Sequence, residues 1–577
     1  MLRLLLCLLL GTPALGQPAA PLLTVNLSAP LDAVDPALFG LNLEFTRHDL
    51  FAGLSAQLLG NRLFSLQPPG TAWPQPVSWG SQWPPRWSPI GHVSVCPPAP
   101  PAAVASQCMR CSLAPGDGPC GLRQGTVLDG FGSGLGAFGS AIGLQQGAAY
   151  ALVVYATATA PLSLLVNVSG LVTRAVAVAG SGALERLEVN FTFPGLTTAG
   201  ATLELTLGGA SAPTVATLVA ASLLPADHFF GMRRDVVGAL RALNFTGPLR
   251  YPGGCFAPFY RWRDGLLPLE LRPVVQTPPN YCQAVPGGVN AYTDGFMENG
   301  PSTDEYLALC REIGAMPVIT LALQFGTAEE VEDARAWVEY TNGAASSPLG
   351  ALRAARGHAE PYNVSLWYLG NEIAWQARFP DYPSQPANST GGASGGEYAG
   401  MVQRVTRALQ GVDPSIRFSA VDGGTAAFDA PWAQGAAALG IGFTSYHGGY
   451  AQGPLRTPAD YTACAMAEGF GFLPGLASLR QLLDSVGAAG VKISADEWGF
   501  GPPWTVARFS TAHAVSAGGA GRLLARRPRS FAALSLSQPP PPSLFHSLSA
   551  KLDVRRLPAV PHHAQRSEHG AGLQQLL

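Results

Sequence analysis

Two carboxylates in matching surroundings stand out along this chain. Glu372 closes Trp367-Tyr-Leu-Gly-Asn-Glu372 and Glu497 closes Ser494-Ala-Asp-Glu497, with Trp375 and Trp498 close behind them. Each follows a short apolar run and a polar neighbour, the texture of a strand running out into a loop. Cleaving the acetal between two sugars needs two carboxyls of this kind. One, protonated, gives its proton to the leaving oxygen; the other meets the positive charge that develops at the anomeric carbon. Indole rings nearby suit the C–H faces of a sugar. A single Asn-Glu at a strand end reads as readily as a helix cap or a surface turn, but two in the same register point to a site.

Such residues need a frame that brings positions 372 and 497 together. After Pro225 the sequence alternates strands and helices, with strands expected at Leu249 to Tyr251, Met316 to Leu321, Leu366 to Gly370, Arg417 to Val421, Gly442 to Tyr446 and Lys492 to Ala495. Ser302-x-x-Glu305 and Thr327-x-x-Glu330 match the capping box, so Glu305 reads as a helix cap rather than an acid of the site, and Gly314 and Gly343 fall where those helices end. With Leu38 to Leu43 as the opening strand, seven strand and helix units are visible. The natural closed form is an α/β fold, the (β/α)8 TIM barrel, with its eighth unit not evident. Active sites of such barrels form at the C-terminal ends of the strands, which is where Glu372, on the fourth, and Glu497, on the seventh, fall.

The rest of the 577 residues divides by texture. Residues 1–16 have the charge, apolar core and small-residue order of a signal peptide. Residues 17–66 carry the first barrel strand and a helical stretch from Gly53 to Phe64. Residues 67–125, dense in Pro, Trp and Cys, read as an irregular connector tied by disulfides. Residues 126–224 hold short Val-, Leu- and Thr-rich runs parted by Gly, Pro and Ser, the spacing of a β-sandwich that interrupts the barrel after its first strand. Residues 225–511 form the barrel domain. Residues 512–577, with Arg526-Arg-Pro-Arg529 and the Pro539 to Pro542 run, read as a low-complexity tail, an aberrant or truncated ending of the barrel.

Composition narrows the partners. Hydrophobic residues make up 47% and charged residues only 12%, so the surface is largely uncharged. A net charge of -2 offers no basic field for nucleic acid and no polybasic strip for a membrane. A neutral glycan is the partner that fits. Asn-x-Ser/Thr acceptors at Asn26, Asn167, Asn190, Asn244, Asn363 and Asn388 suit a chain routed through the secretory pathway, so the expected location is extracellular or in a cell wall. Cys108 and Cys111 form a CxxC, but no second pair stands at zinc-ligand spacing, so disulfides are expected over metal, with their pairing open. The chemistry calls for no cofactor.

Further motifs carry a specific resemblance. Arg250-Tyr-Pro-Gly-Gly-Cys-Phe256, Tyr260-Arg-Trp-Arg-Asp-Gly265, Leu-Gly-Asn-Glu372 and Asp-Glu-Trp498, spread between about Asp35 and Trp504, resemble the α-L-arabinofuranosidases of glycoside hydrolase family 51, plant-type branch. The resemblance implies a retaining, exo-acting enzyme with a carbohydrate-binding-like sandwich. It makes Glu372 the acid/base, Glu497 the nucleophile and Asn371 a donor to the sugar 2-hydroxyl. It also makes Glu44 and Arg250 binding residues of the terminal subsite and places His447 beside the nucleophile. The family has a tyrosine two residues after that histidine; here Gly449 stands there, leaving Tyr450 as the substitute. Cys255 is open to a disulfide with Cys282. Another retaining barrel hydrolase, of endo-glucanase or glucuronidase type, and an inactive carbohydrate-binding protein are the rival readings. In the retaining mechanism Glu372 starts as an acid, so its pKa is expected to be raised in the free protein and to fall once Glu497 is esterified.

Overall fold

A computed structural model of the chain describes residues 40–44, 53–64, 87–96, 108–125, 142–244, 246–275, 284–285, 289–290, 297–380, 390–451 and 473–500. All of these except 449–451, 473–474 and 498–500 belong to one compact unit. The expected signal segment 1–16 and the tail 512–577 lie outside the described residues.

Seven strands lie side by side in chain order: β1 (Leu41–Asn42), β2 (Pro248–Tyr251), β3 (Met316–Thr320), β4 (Leu366–Tyr368), β5 (Arg417–Val421), β6 (Ile441–Ala451) and β7 (Lys492–Phe500). From β1 to β6 every pairing is parallel, and β7 follows β6 at the far edge. Parallel neighbours require a crossover between them. Helices supply it: α1 (Arg234–Ala242), α2 (Thr303–Ile313), α3 (Ala328–Asn342), α4 (Pro348–Ala355), α5 (Gly395–Gln410), α6 (Ala426–Ala433) and a helix at residues 473–485. Strand order equal to chain order with intervening helices is the topology of a (β/α) barrel. The stretch where an eighth unit would follow β7 lies outside the described residues.

Helices begin where the capping residues predict. Ser302 and Glu305 form a full capping box on α2, Thr327 and Glu330 another on α3, and Ser394 and Glu397 a third on α5. Glu305 also pairs with Arg272 at 2.6 Å, so both edges of its carboxylate are committed to structure. Gly314 ends α2 in the left-handed region, φ 81, which glycine enters without a Cβ clash.

Between β1 and β2 the chain builds two antiparallel five-stranded sheets. One runs Glu185–Thr192, Ala149–Ala158, Thr214–Pro225, Cys108–Leu113, Val93–Cys96; the other runs Ser88–Ile90, Cys120–Gln124, Leu203–Gly208, Leu162–Val168, Val172–Val178. Alternate residues point inward, and Leu152, Val154, Leu164, Val166, Leu205 and Leu207 fill the space between the sheets with no exposed surface. The stretch 67–125 therefore differs from the irregular connector its composition suggests, since its described parts are strands of both sheets. Their runs are short, and cysteines occupy inward positions where aliphatic residues would have marked the period. Those cysteines pair among themselves: Cys96–Cys108 joins neighbouring strands, and Cys111–Cys120 crosses from one sheet to the other.

Gly53 to Phe64 is not the expected helix. Its backbone donors bond outward, Ala56 to Gly231 O at 2.8 Å, Leu58 to Leu223 O at 3.0 Å and Gly60 to Gln124 Oε1 at 2.9 Å. Asn61 and Phe64 hold φ of 53 and 52, which a right-handed helix cannot accommodate. Arg62, buried, donates to the carbonyls of Glu270 at 2.8 Å and Arg272 at 2.7 Å, tying this segment to the loop after β2.

Candidate active site

The ends of β2, β4, β6 and β7 bring Arg250, Asn371, Glu372, His447 and Glu497 into one hydrogen-bonded cluster. Arg250 is buried on β2. Its Nη1 donates to Glu497 Oε1 at 2.5 Å, its Nη2 to Asn371 Oδ1 and its Nε to Thr320 Oγ1 at 3.2 Å. The guanidinium carbon stands 5.3 Å from the centre of the Tyr368 ring. Burial works against its charge, but the carboxylates of Glu497 and Asp496 outweigh that and push its pKa further up. A planar fork of donors with a permanent charge suits the task of fixing two strand ends at once.

Two glycines let β1 approach. Gly253 and Gly254 hold φ of 51 and 63, and a Cβ on them would collide with the Asn42 side chain and the Glu44 carboxylate. Glu44 is buried there and accepts from Asn42 Nδ2 at 2.7 Å. The Pro-Gly-Gly run after Arg250 thus serves the close approach that its composition suggests.

Glu372 sits in the left-handed region at φ 44, a conformation that costs a non-glycine residue about 1–3 kcal/mol and is found mostly at functional sites. Its Oε1 lies 2.9 Å from His447 Nδ1, and its Oε2 accepts from Gln376 Nε2. The same His447 Nδ1 is 3.6 Å from Glu497 Oε2, and Nε2 is 2.9 Å from Ser445 Oγ, which in turn donates to Asp496 Oδ1 at 2.9 Å. Burial disfavours charge on His447, but Glu497, Glu372 and Asp496 around it prevail and lift its pKa to about 9.

This arrangement reverses the expectation for Glu372. Burial raises its pKa, yet the hydrogen bond and charge of His447, with Gln376 and Arg250, hold it below the ordinary carboxylate value. Both directions favour a charged pair in the free chain, with the proton on the imidazole side of the His447–Glu372 hydrogen bond. The physical reason is the count of neighbours: one imidazole is wedged between two carboxylates with a third behind Ser445.

Glu372, His447 and Glu497 each offer an atom within 4.8 Å of the others. An oxygen of Glu372 and an oxygen of Glu497 thus lie within 4.8 Å of each other, an approach in keeping with the short carboxyl spacing of double displacement. The trio has the donor types of a cation site, but Arg250 and Gln376 already place N–H donors on both carboxylates, and the guanidinium brings the positive charge a metal would bring. Within the cluster, Asn371 Nδ2 is buried without a hydrogen bond, a donor available to a hydroxyl group.

Several participants escape a reading of the sequence. Gln376 lies four residues after Glu372, across a turn, and Asp496 is the immediate neighbour of Glu497; Thr320, Tyr368 and Ser445 carry no local signal at all. Trp375 is at the rim, 48% exposed, with its Nε1 donating to Gly423 O at 3.1 Å and its ring centre 6.5 Å from that of His447. The side chains of Tyr450 and Trp498 lie outside the described residues, as does Cys282; Cys255 is disulfide-bonded.

Fold and site together define a parallel barrel-type sheet whose strand ends hold two carboxylates bridged by an imidazole. Residues 239–422 match the family described as Alpha-L-arabinofuranosidase 1 domain, a span that includes Arg250, Asn371 and Glu372. The chain is 36% identical over 200 residues to the probable alpha-L-arabinofuranosidase C of Aspergillus fumigatus, covering 34% of each chain. It is 37% identical over 186 residues to alpha-L-arabinofuranosidase C of Emericella nidulans, covering 32% of this chain and 31% of that one. It thus spans about a third of the length of the curated relatives it matches. Among solved structures it is similar to the alpha-L-arabinofuranosidase of Thermotoga maritima in its arabinose complex, at 28% identity and a TM-score of 0.39, over 51% of this chain and 55% of that one.

Proposed function

We propose that this chain is a retaining exo-glycoside hydrolase of the α-L-arabinofuranosidase type, releasing terminal α-L-arabinofuranosyl residues from arabinose-containing polysaccharides or glycoproteins. The observation that carries this reading is the cluster of Glu372, His447 and Glu497 within 4.8 Å, and the family match over 239–422 supports the sugar. Glu497, held by Arg250, attacks the anomeric carbon and forms a glycosyl ester while the leaving oxygen takes a proton from Glu372. Glu372 obtains that proton from His447 Nδ1 along their 2.9 Å hydrogen bond. Esterification removes the charge on Glu497, which lowers the proton affinity of both neighbours. Glu372 then takes a proton from water, and water attacks the ester from the leaving-group side.

Asn371 Nδ2 and the buried Glu44 are the groups offered to hydroxyls of the terminal sugar. Glu44, Arg250 and Asn371 are all buried, which favours recognition of a single end residue over an internal stretch of polymer. The signal-like residues 1–16 and the sequons support a secreted enzyme acting in the extracellular space or cell wall, in keeping with the plant-type branch.

Proton NMR of the full chain acting on an aryl α-L-arabinofuranoside tests the reading. The first-formed arabinose should carry the substrate's own anomeric configuration; an inverted product, or binding of the sugar without turnover, overturns it.

A further inference from the structure

The end of β5 carries a feature that the sugar chemistry leaves unused. Asp422, directly after the strand, and Asp429, on α6, are 4% and 1% exposed, and their carboxyls accept from the N–H groups of two consecutive residues, Gly424 and Gly423. Two buried carboxyls held on adjacent N–H groups cannot both ionise cheaply, since each negative charge disfavours the other, so the pair retains a proton between them. The contacts of the pair hold a turn. Asp429 Oδ1 accepts from Gly423 N at 3.0 Å and from Trp432 Nε1 at 3.3 Å, and Asp422 Oδ1 accepts from Gly424 N at 3.0 Å. The carbonyl of Gly423, fixed in this way, is the acceptor for Trp375 Nε1 at 3.1 Å. Trp375 is among the few large apolar side chains left exposed, and it flanks His447.

We propose that Asp422 and Asp429 form a proton-sharing carboxyl pair that positions Trp375 against the acid/base group, so that the rim of the site keeps its shape only while the shared proton is present. The proposal rests on reading Glu372 and His447 as the acid/base apparatus. Asp429 touches neither of them and is a positioning residue. The groups facing the pair are His447 and Tyr446 on β6, which meet Asp422, and Tyr398 on α5, which meets Asp429. Burial and the neighbouring charge of Asp422 raise the Asp429 carboxyl to about 7. The pair is therefore intact in mildly acidic solution. As pH rises through about 7 two negative charges come into contact, and the turn under Trp375 loosens.

The test is iodide quenching of the full chain between pH 5.5 and 8.5, with Trp375→Phe subtracted to isolate the Trp375 signal, alongside kcat and KM for an aryl α-L-arabinofuranoside. In the unaltered chain Trp375 should become more accessible with a midpoint near 7, while KM rises about tenfold and kcat changes less, as expected for loss of an aromatic contact. Asp429→Asn keeps a donor for Asp422 and an oxygen for Gly423 but has no proton to lose, so both profiles should become flat. A flat Trp375 signal in the unaltered chain overturns the proposal, whatever the variant does, and so does a midpoint that persists in Asp429→Asn. If the chain shows no turnover at all, the functional reading fails, and the quenching titration still decides the carboxyl pair.

Discussion

Arg250 Nη1 lies 2.5 Å from Glu497 Oε1, although the two residues are 247 positions apart in the chain. The contact joins the second and seventh barrel strands, and it places a permanent positive charge beside the carboxylate proposed as the nucleophile.

Replacing Arg250 with Met should therefore cost stability as well as rate. Glu497 and Asp496 would be left with the His447 imidazolium, already shared with Glu372, as their counter-charge, a loss of up to roughly 3–5 kcal/mol. Denaturant unfolding should show that loss, and kcat/KM should drop by about 10²–10³ or more. Arg250→Lys should recover part of the stability and little of the rate, because an ammonium cannot donate to Glu497, Asn371 and Thr320 together.

The two carboxylates should separate kinetically. Glu497→Ala is expected to lose turnover by about 10⁴-fold or more on every substrate, since no covalent intermediate can form. Glu372→Ala should still be glycosylated by a substrate with a good leaving group and then stall. Azide needs no general base, so it should restore turnover and give an arabinosyl azide with the substrate's own configuration. Mass spectrometry and NMR of the products check both; unchanged hydrolysis by Glu497→Ala would falsify the assignment.

The imidazole bridge predicts a pH dependence of stability whose sign follows from the shifts. His447 is raised from 6.5 to about 9, so its contribution is complete below 6.5 and is lost as pH rises through 9. The total is on the order of 3 kcal/mol. Glu372 is lowered, so its contribution is present above the ordinary carboxylate range and is lost as pH falls through it. Urea unfolding from pH 5 to 10 should show stability declining above 6.5, and His447→Gln should remove that decline. A decline of equal size in the variant would place its origin elsewhere.

Gly254→Ala tests the approach of β1. The substitution puts a methyl group on the Glu44 carboxylate at a φ of 63, a strained backbone for alanine. Expected are a loss of about 2 kcal/mol or more in stability and a KM raised at least tenfold, with Gly238→Ala, where a Cβ meets nothing within 4 Å, as the harmless control.

Legibility in the sequence followed the range of the forces involved. Strand ends were readable because a run such as Leu366 to Gly370 or Arg417 to Val421 signals its own burial, and a polar residue after it stands out. Capping boxes at Ser302 and Thr327 were readable because the cap and its partner lie within one turn. Segment 53–64 was misread because its backbone partners, Gly231, Leu223 and Gln124, are remote in sequence and leave no local trace. The protonation of Glu372 was misread for a similar reason: it is set by how many carboxylates surround His447, a matter of tertiary arrangement alone. The carboxyl pair of Asp422 and Asp429 was invisible because neither residue sits in a motif.

The insertion of the two-sheet domain between β1 and β2 has a consequence for the order of folding. Leu41 pairs directly with Leu249, so β1 reaches its place only by closing a loop that contains the whole sandwich. Closing so long a flexible loop is slow, because its entropy must be lost before any contact rewards it. A sandwich that folds first, stapled by Cys96–Cys108 and Cys111–Cys120, draws the two ends of that loop together and turns a distant encounter into a local one. Glu44 rides on the incoming segment. On that order the proposed site is completed only after the sandwich has folded, which links its assembly to the oxidation of four cysteines outside it.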